Sequence, residues 1–210
     1  MFKEVGWWFP DGEVHLQGMC REHMGDADRG NYQRKKYLKA LEYTPDRNRA
    51  LDIGAHIGLW SYDMVEDFET VEAFEPVAEH RYCFDRNITG ANLYPFACGS
   101  KPGRVSLDSP RKGHSGHTMV VPGDDVEVVV LDDYDFKDVS FVKVDCEGYE
   151  LFVLRGLEKT ILREKPTIIV EQKHDHASRY GIGNTEAVDY LQDLGMKHRD
   201  TLSGDFILSW

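Results

Sequence analysis

Asp52-Ile53-Gly54-Ala55-His56-Ile57-Gly58 sets glycines in a turn directly after the apolar run Ala50-Leu51. Phe74-Glu75-Pro76 puts a single carboxylate 21 residues beyond Gly54. Asp145, Glu147 and Glu150 crowd one later segment, and Glu171 ends another apolar run. Glycine lets a turn bend tightly and lets backbone approach a ligand. An acid at the place of Glu75 can bind both hydroxyls of a ribose. The pattern fits a nucleotide-like cofactor, against the plainer readings of Asp52 as a helix-capping acid and Glu75 as an exposed strand-end acid. A dinucleotide fingerprint requires Gly-x-Gly-x-x-Gly. The equivalent positions here are Gly54, His56 and Leu59, so one of three matches. His56 would crowd a pyrophosphate, whereas a cofactor without phosphates has no such requirement. The Asp52 carboxylate can accept hydrogen bonds, directly or through water, from an ammonium-bearing amino-acid tail. These details favour S-adenosylmethionine and disfavour a nicotinamide oxidoreductase.

Positioning such groups requires strands that end where the acids lie. Residues 50–54 read as a buried strand, 58–66 as a helix and 70–75 as a second strand. Pro76 opens the next helix. Leu93 to Cys98 reads as a third strand, demoted towards an edge by Pro95. Residues 104–108 and 126–131 flank a loop rich in Gly, His and Ser and read as an inserted hairpin. Phe141–Asp145 is the fourth core strand. One helix carries Leu151, Leu154, Leu157 and Ile161 at spacings of three and four. Thr167–Glu171 is the fifth strand, β-branched and continuous as in a strand buried on both faces. A last helix with Ala187, Val188, Leu191 and Leu194 ends near Gly195, and 196–201 pairs with 205–210. Alternating strands and helices predict an α/β fold with a doubly wound, mostly parallel sheet. The ligand is expected beyond the carboxyl ends of the strands, at the switch point.

Residues 1–45 read as an N-terminal appendage packed on a core of residues 46–210. Residues 31–42 form a helix with Tyr37, Leu38 and Leu41 on its apolar face. Trp7-Trp8-Phe9 suits packing, a pocket wall or a dimer contact, so the oligomeric state stays open, a homodimer included. The net charge of −12 argues against a broad nucleic-acid surface, which needs clustered cations. Arg34-Lys35-Lys36 reads as a solvated helix face. Cys20, Cys83, Cys98 and Cys146 form no Cys-x-x-Cys pair and read as reduced thiols. No apolar run approaches the roughly 18 residues of a membrane span, and Met1-Phe2-Lys3-Glu4 lacks a signal-peptide core. A cytoplasmic protein without membrane partners is expected.

Three segments, Ala50–Gly58, Ala73–Pro76 and Val142-Lys143-Val144-Asp145-Cys146-Glu147-Gly148-Tyr149-Glu150, resemble the FkbM family of S-adenosylmethionine-dependent methyltransferases. The third is the most specific, since Lys-x-Asp-x-Glu-Gly-x-Glu is similar to that family's hallmark. Pro166 and Glu171 also fit, and the resemblance covers roughly residues 49–175. It implies a seven-stranded, Rossmann-like class I methyltransferase fold. Asp52, Gly54, Ala55, His56 and Gly58 would cradle the methionine part of the cofactor. Glu75, followed by Pro76, would hold the ribose, Ala97 would lie near the adenine, and Asp145 would stand beside the sulfonium. His56 departs from the glycine that many class I enzymes carry.

Methyl transfer is an in-line displacement that aligns a nucleophile, excludes water and, for a hydroxyl, removes a proton. Asp145, Glu147 and Glu171 are the candidate catalytic carboxylates. Glu150 reads as a first-turn acid facing the helix dipole. His174 is the candidate base, because an unperturbed imidazole titrates near 6.5; its plainer reading is a surface histidine. His114-Ser115-Gly116-His117 is either a mobile lid or an ordinary connection. Asp145, Glu171 and a histidine could ligate Mg²⁺, but the spacing does not force it and no metal ligand is assigned. The favoured activity is O-methylation of a hydroxyl on a sugar or other small metabolite. An N-methyltransferase, a protein-directed enzyme and a non-catalytic cofactor-binding module are the alternatives. The acceptor pocket is expected from residues 1–45 and 109–125.

Overall fold

Val5 and Gly6 both take positive φ and turn strand β1 (Phe2–Glu4) back onto β2 (Trp7–Phe9). The computed structural model describes residues 1–22, 29–111, 113–173 and 175–210. Helix α1 (His15–Glu22) is absent from the sequence expectation. It buries only Leu16 and Cys20, too few positions to show a helical period. Helix α2 (Arg34–Leu41) falls inside the expected 31–42 window, and two of its three expected apolar residues, Tyr37 and Leu41, pack into the core. Tyr37 and Ala40 are buried, whereas Leu38 is 47% exposed.

The core elements follow in order: β3 (Arg49–Ile53), α3 (Ser61–Asp67), β4 (Thr70–Phe74), α4 (Ala78–Asn87) and β5 (Ala91–Tyr94). Next come β6 (Ala97–Cys98), β7 (Gly103–Asp108), β8 (Met119–Val129) and β9 (Val139–Val144). The chain closes with α5 (Glu150–Arg155), α6 (Glu158–Glu164), β10 (Thr167–Glu171), α7 (Glu186–Asp193), β11 (Lys197–Leu202) and β12 (Asp205–Ser209). Seven strands form the main sheet in the order β11-β12-β10-β9-β3-β4-β5. Its pairs from β10 to β5 are parallel, and β12 runs against both β10 and β11. This is the expected doubly wound architecture. Both faces of its middle are covered. Leu51, Ile53, Val142, Val144, Ile168 and Val170 point into one cluster, while Ala50, Val71, Phe141, Ile169 and Ile207 point into another. The chain leaves β3 towards β4 on one side and later returns to β9 on the other. The switch point therefore lies at the carboxyl ends of β3 and β9.

Two expected elements are divided. Pro95 has no N–H to donate to a ladder, so the third strand stops at Tyr94. Ala97–Cys98 instead pairs parallel with β8, which also pairs with β7 as the expected hairpin. The long helix breaks at Gly156, where an added Cβ would lie 2.1 Å from Gly99 O. The Asp132 carboxylate then restarts it as α6 by accepting Lys159 N at 3.0 Å and Thr160 N at 2.9 Å. Among the described residues, no helix is long and apolar enough to cross a membrane, and the four cysteines are unpaired.

Candidate functional site

The turn after β3 is built against the end of β9. Gly54 has φ +78°, and a Cβ there would stand 1.9 Å from Asp145 O. Only glycine permits that approach. Two residues on, His56 takes φ +52°, an uncommon conformation for a residue with a side chain. It turns the His56 N–H onto Glu75 Oε2 at 2.8 Å. Val77 N donates to Glu75 Oε1 at 2.8 Å, and His80 Nδ1 lies 3.2 Å from the same oxygen. Burial pushes the Glu75 carboxyl up, but attraction to His80 and the bonds from His80, Val77 and His56 outweigh it and hold it low. The His56 imidazole is driven well below its usual value by burial, then by His80 and Lys143. It is therefore neutral at pH 7.

Lys143 ties the switch point together. It stands directly across the ladder from Asp52. Its ammonium donates to Gly54 O at 2.7 Å and lies 3.3 Å from Asp52 Oδ1 and 3.8 Å from Asp145 Oδ2. Burial opposes its charge, yet Asp52 and Asp145 together hold its pKa up. Burial likewise pushes Asp145 up, but Lys143 and Lys173 overcome this and keep it ionised. Asp52 is fully buried, and Ser61 Oγ donates to its Oδ2 at 2.6 Å. Sequence reasoning gave Lys143 no role. The available signal was a lysine inside a continuous apolar strand, a residue that stays buried only with an acidic partner.

These groups face a cleft of about 1520 Å³. Gly54, Ala55, His56, Glu75, Pro76 and Ala97 lie on its wall, with Asp145, Glu147 and Glu171 further along. Asp52 and Gly58 do not. Asp52 sits behind Lys143, and Gly58 (φ +91°) packs under Ile88 and Phe84. Any contact from Asp52 to a ligand therefore passes through Lys143 or the turn backbone. His174 lies outside the described residues. Two positions on, His176 Nδ1 stands 3.0 Å from Glu147 Oε2 on the cleft wall.

The far wall comes from the appendage and the hairpin. Ser115 Oγ meets His56 Nε2 at 2.9 Å, and Ser115 N donates to Glu13 Oε2 at 2.6 Å. Glu13 is 2% exposed and also accepts Leu16 N at 2.9 Å. Gly113 O accepts both Val14 N and His15 N. Glu13, unremarked in the sequence, thus clasps the hairpin tip to α1, with the Pro10-Asp11-Gly12 turn before it as its only local signal.

Burial, with Asp145 and Glu150 close by, raises the Glu147 carboxyl to about 8. Burial raises Glu150 to about 7 despite bonds from Gly148 N and Cys146 N, each at 2.9 Å. Burial and Asp145 likewise push Glu171 well up. An acid raised by folding binds a proton that the unfolded chain has already lost, so stability falls as pH rises. The affected window runs from the usual carboxylate value of 4.5 to about 8. Below the usual imidazole value of 6.5 the neutral His56 opposes this trend, so the melting temperature is expected to fall from about pH 6.5 to pH 8, and Glu147→Gln to flatten that slope. Thermal melts across this range, at fixed ionic strength, check it; an unchanged slope in the variant would contradict the assignment to Glu147.

Residues 52–197 match the family model described as the methyltransferase FkbM domain. No curated protein matches the sequence. Among solved structures, a methyltransferase FkbM from Methylobacillus flagellatus KT is 19% identical, with a TM-score of 0.48. That match covers 77% of this chain but 43% of the Methylobacillus chain, so this chain spans less than half of it. A precorrin-6y C5,15-methyltransferase from Geobacter metallireducens GS-15 is 12% identical, with a TM-score of 0.51, over 84% of this chain and 87% of that one. A Streptococcus mutans protein solved in complex with SAH is 11% identical, with a TM-score of 0.52, over 85% and 96% of the two chains. The latter two share the fold.

Proposed function

The chain belongs to the FkbM methyltransferase family, and we propose that it binds S-adenosylmethionine in the cleft and methylates a hydroxyl of a sugar or another small molecule. The observation that carries this reading is the placement of Glu75 and Asp145 on one cleft wall, on either side of the β3 turn. The donor set fits the cofactor. Glu75 Oε2 accepts one bond from His56, leaving a lone pair for a ribose hydroxyl. Pro76, Phe96 and Ala97 offer an apolar wall of the kind an adenine needs. Asp145 stays ionised beside the turn and can take the ammonium or face the sulfonium. Asp52 then acts through Lys143, fixing where Gly54 and Asp145 stand.

When bound, the cofactor supplies an electrophilic methyl group. The chain's task is to align an acceptor oxygen with it and to exclude water. A cleft of about 1520 Å³ exceeds the ~300–1,000 Å³ of a single-ligand site, so an acceptor has room as well. Glu147, Glu171 and His176 form the wall that would meet the acceptor's hydroxyl, and a carboxylate of this wall would take its proton as the new C–O bond forms. Leu38, His15 and the Ser115–His117 tip border the same space, which supports a small acceptor recognised by the appendage and hairpin. The net charge of −12 disfavours nucleic acid.

Isothermal titration of SAH into the purified chain tests the cofactor, and tritiated-methyl transfer to fractionated small metabolites tests the acceptor. One saturable SAH site and label in a low-molecular-mass product are expected. No SAH binding would overturn the reading. Label recovered only in protein would redirect it to a macromolecular acceptor.

A further inference from the structure

We propose that Glu147, Glu171 and His176 bind a divalent metal ion, one that positions an oxygen of the methyl acceptor. The ion site stands on ligand geometry, and its role towards the acceptor rests on the reading above. One donor atom from each of the three side chains lies within 4.8 Å of the others. An ion with bonds of about 2.1 Å spans donors up to about 4.2 Å apart, so small rotations close the set.

The backbone brings these side chains together. Glu147, three residues beyond the end of β9, takes φ +54°, a conformation that costs an L-residue roughly 1–2 kcal/mol. Gly148 follows at φ +100°, where a Cβ would lie 2.5 Å from the carbonyl carbon of His176. The two loops therefore touch backbone to backbone, and Glu147 faces the His176 ring. Glu171 enters from the end of β10 beside them. All three side chains line the cleft, so the open side of the set faces substrate space, as in catalytic metal sites.

Charge balance points the same way. Asp145, Glu147, Glu150 and Glu171 gather around Lys143 and Lys173, with Arg179 acting on Glu147 and Lys36, itself paired with Asp205, acting on Asp145. Lys143 is held by Asp52 and Gly54 O, and Lys173 divides itself between Glu171 and Asp205. With Asp52 and Asp205, which share these cations, the carboxylates outnumber Lys143, Lys173, Lys36 and Arg179. Two carboxylates with one imidazole suit a first-row ion that accepts both oxygen and nitrogen, for which Mn²⁺ is a direct probe. Such an ion lowers the pKa of a bound hydroxyl.

Titrating Mn²⁺ into the 210-residue chain without cofactor, followed by electron paramagnetic resonance and calorimetry, tests the site. A single saturable site is expected. Glu171→Gln and His176→Gln should each weaken it about tenfold or more. Asp124→Asn, on the exposed hairpin, should leave it unchanged. Spin-echo modulation from a coordinated imidazole nitrogen should be present in the parent and lost in His176→Gln. Near-UV circular dichroism establishes that each variant folds, and the modulation in the parent stands without any variant. No saturable binding below about 1 mM free Mn²⁺, or no nitrogen modulation, would overturn the proposal. SAH titration into the metal-free chain separates the two readings. SAH binding without Mn²⁺ binding sinks the ion alone, and Mn²⁺ binding without SAH binding leaves the ion site standing while the cofactor reading fails.

Discussion

Replacing Glu75 by alanine is expected to weaken SAH binding at least 100-fold and to cost about 3–5 kcal/mol of stability. The carboxylate is 4% exposed and accepts bonds from His56 N, Val77 N and His80 Nδ1. Alanine leaves one buried donor, on His80, and two part-buried ones, on His56 and Val77, without an acceptor, at roughly 1–3 kcal/mol each where water cannot replace the bond. A chain of this length loses about 2–4 °C of melting temperature per kcal/mol, so the fall should lie between about 6 and 20 °C. Glu75→Gln separates the two effects. Its amide oxygen keeps an acceptor for part of the set but drops the charge that attracts His80. It should therefore recover much of the stability while SAH affinity stays low. Calorimetric titration and thermal melts of both variants check this, and parental SAH affinity in either variant would remove Glu75 from the cofactor site.

Gly54→Ala should be at least as damaging, by a different route. The new methyl group would have to occupy space 1.9 Å from Asp145 O, and that oxygen belongs to backbone that cannot rotate aside. At φ +78° a Cβ also meets its own carbonyl. Strain and overpacking together cost about 3–5 kcal/mol. Relief requires the ends of β3 and β9 to part, which breaks the Lys143 bond to Gly54 O. Loss of SAH binding is expected even at temperatures where the variant is folded. Melting curves and SAH titration at 15 °C check it; binding within threefold of the parent would show that the turn tolerates a wider gap.

The parallel strands were legible because burial on both faces leaves a continuous apolar run. Ile168–Val170 shows this plainly, and Ala50–Ile53 shows it apart from Asp52. The glycine-spaced turn and the acid one strand later were legible for the same reason, since strand ends converge by topology. Pairing across the ladder was not. Asp52 and Lys143 are neighbours only through register, and no local pattern reveals that a lysine 91 positions away stands opposite. The appendage hid more. Helix α1 buries two residues, and Glu13 shows its role only when the hairpin tip lies over it. The expected strand through Pro95 divided because a residue without an N–H cannot sustain a ladder, a constraint that the composition of Leu93–Cys98 did state.

The clasp between Glu13 and Ser115 joins positions 102 residues apart. Neither segment alone defines the mouth of the cleft. On the proposed reading, acceptor preference would be held in common by the N-terminal segment and the hairpin, and a change in one would be felt as a misfit in the other. A graft of the hairpin from a relative would carry half a recognition surface into a chain that lacks its counterpart. Loss of Glu13 would leave Ser115 N without its acceptor, so a change on one side of the clasp calls for an answering change on the other.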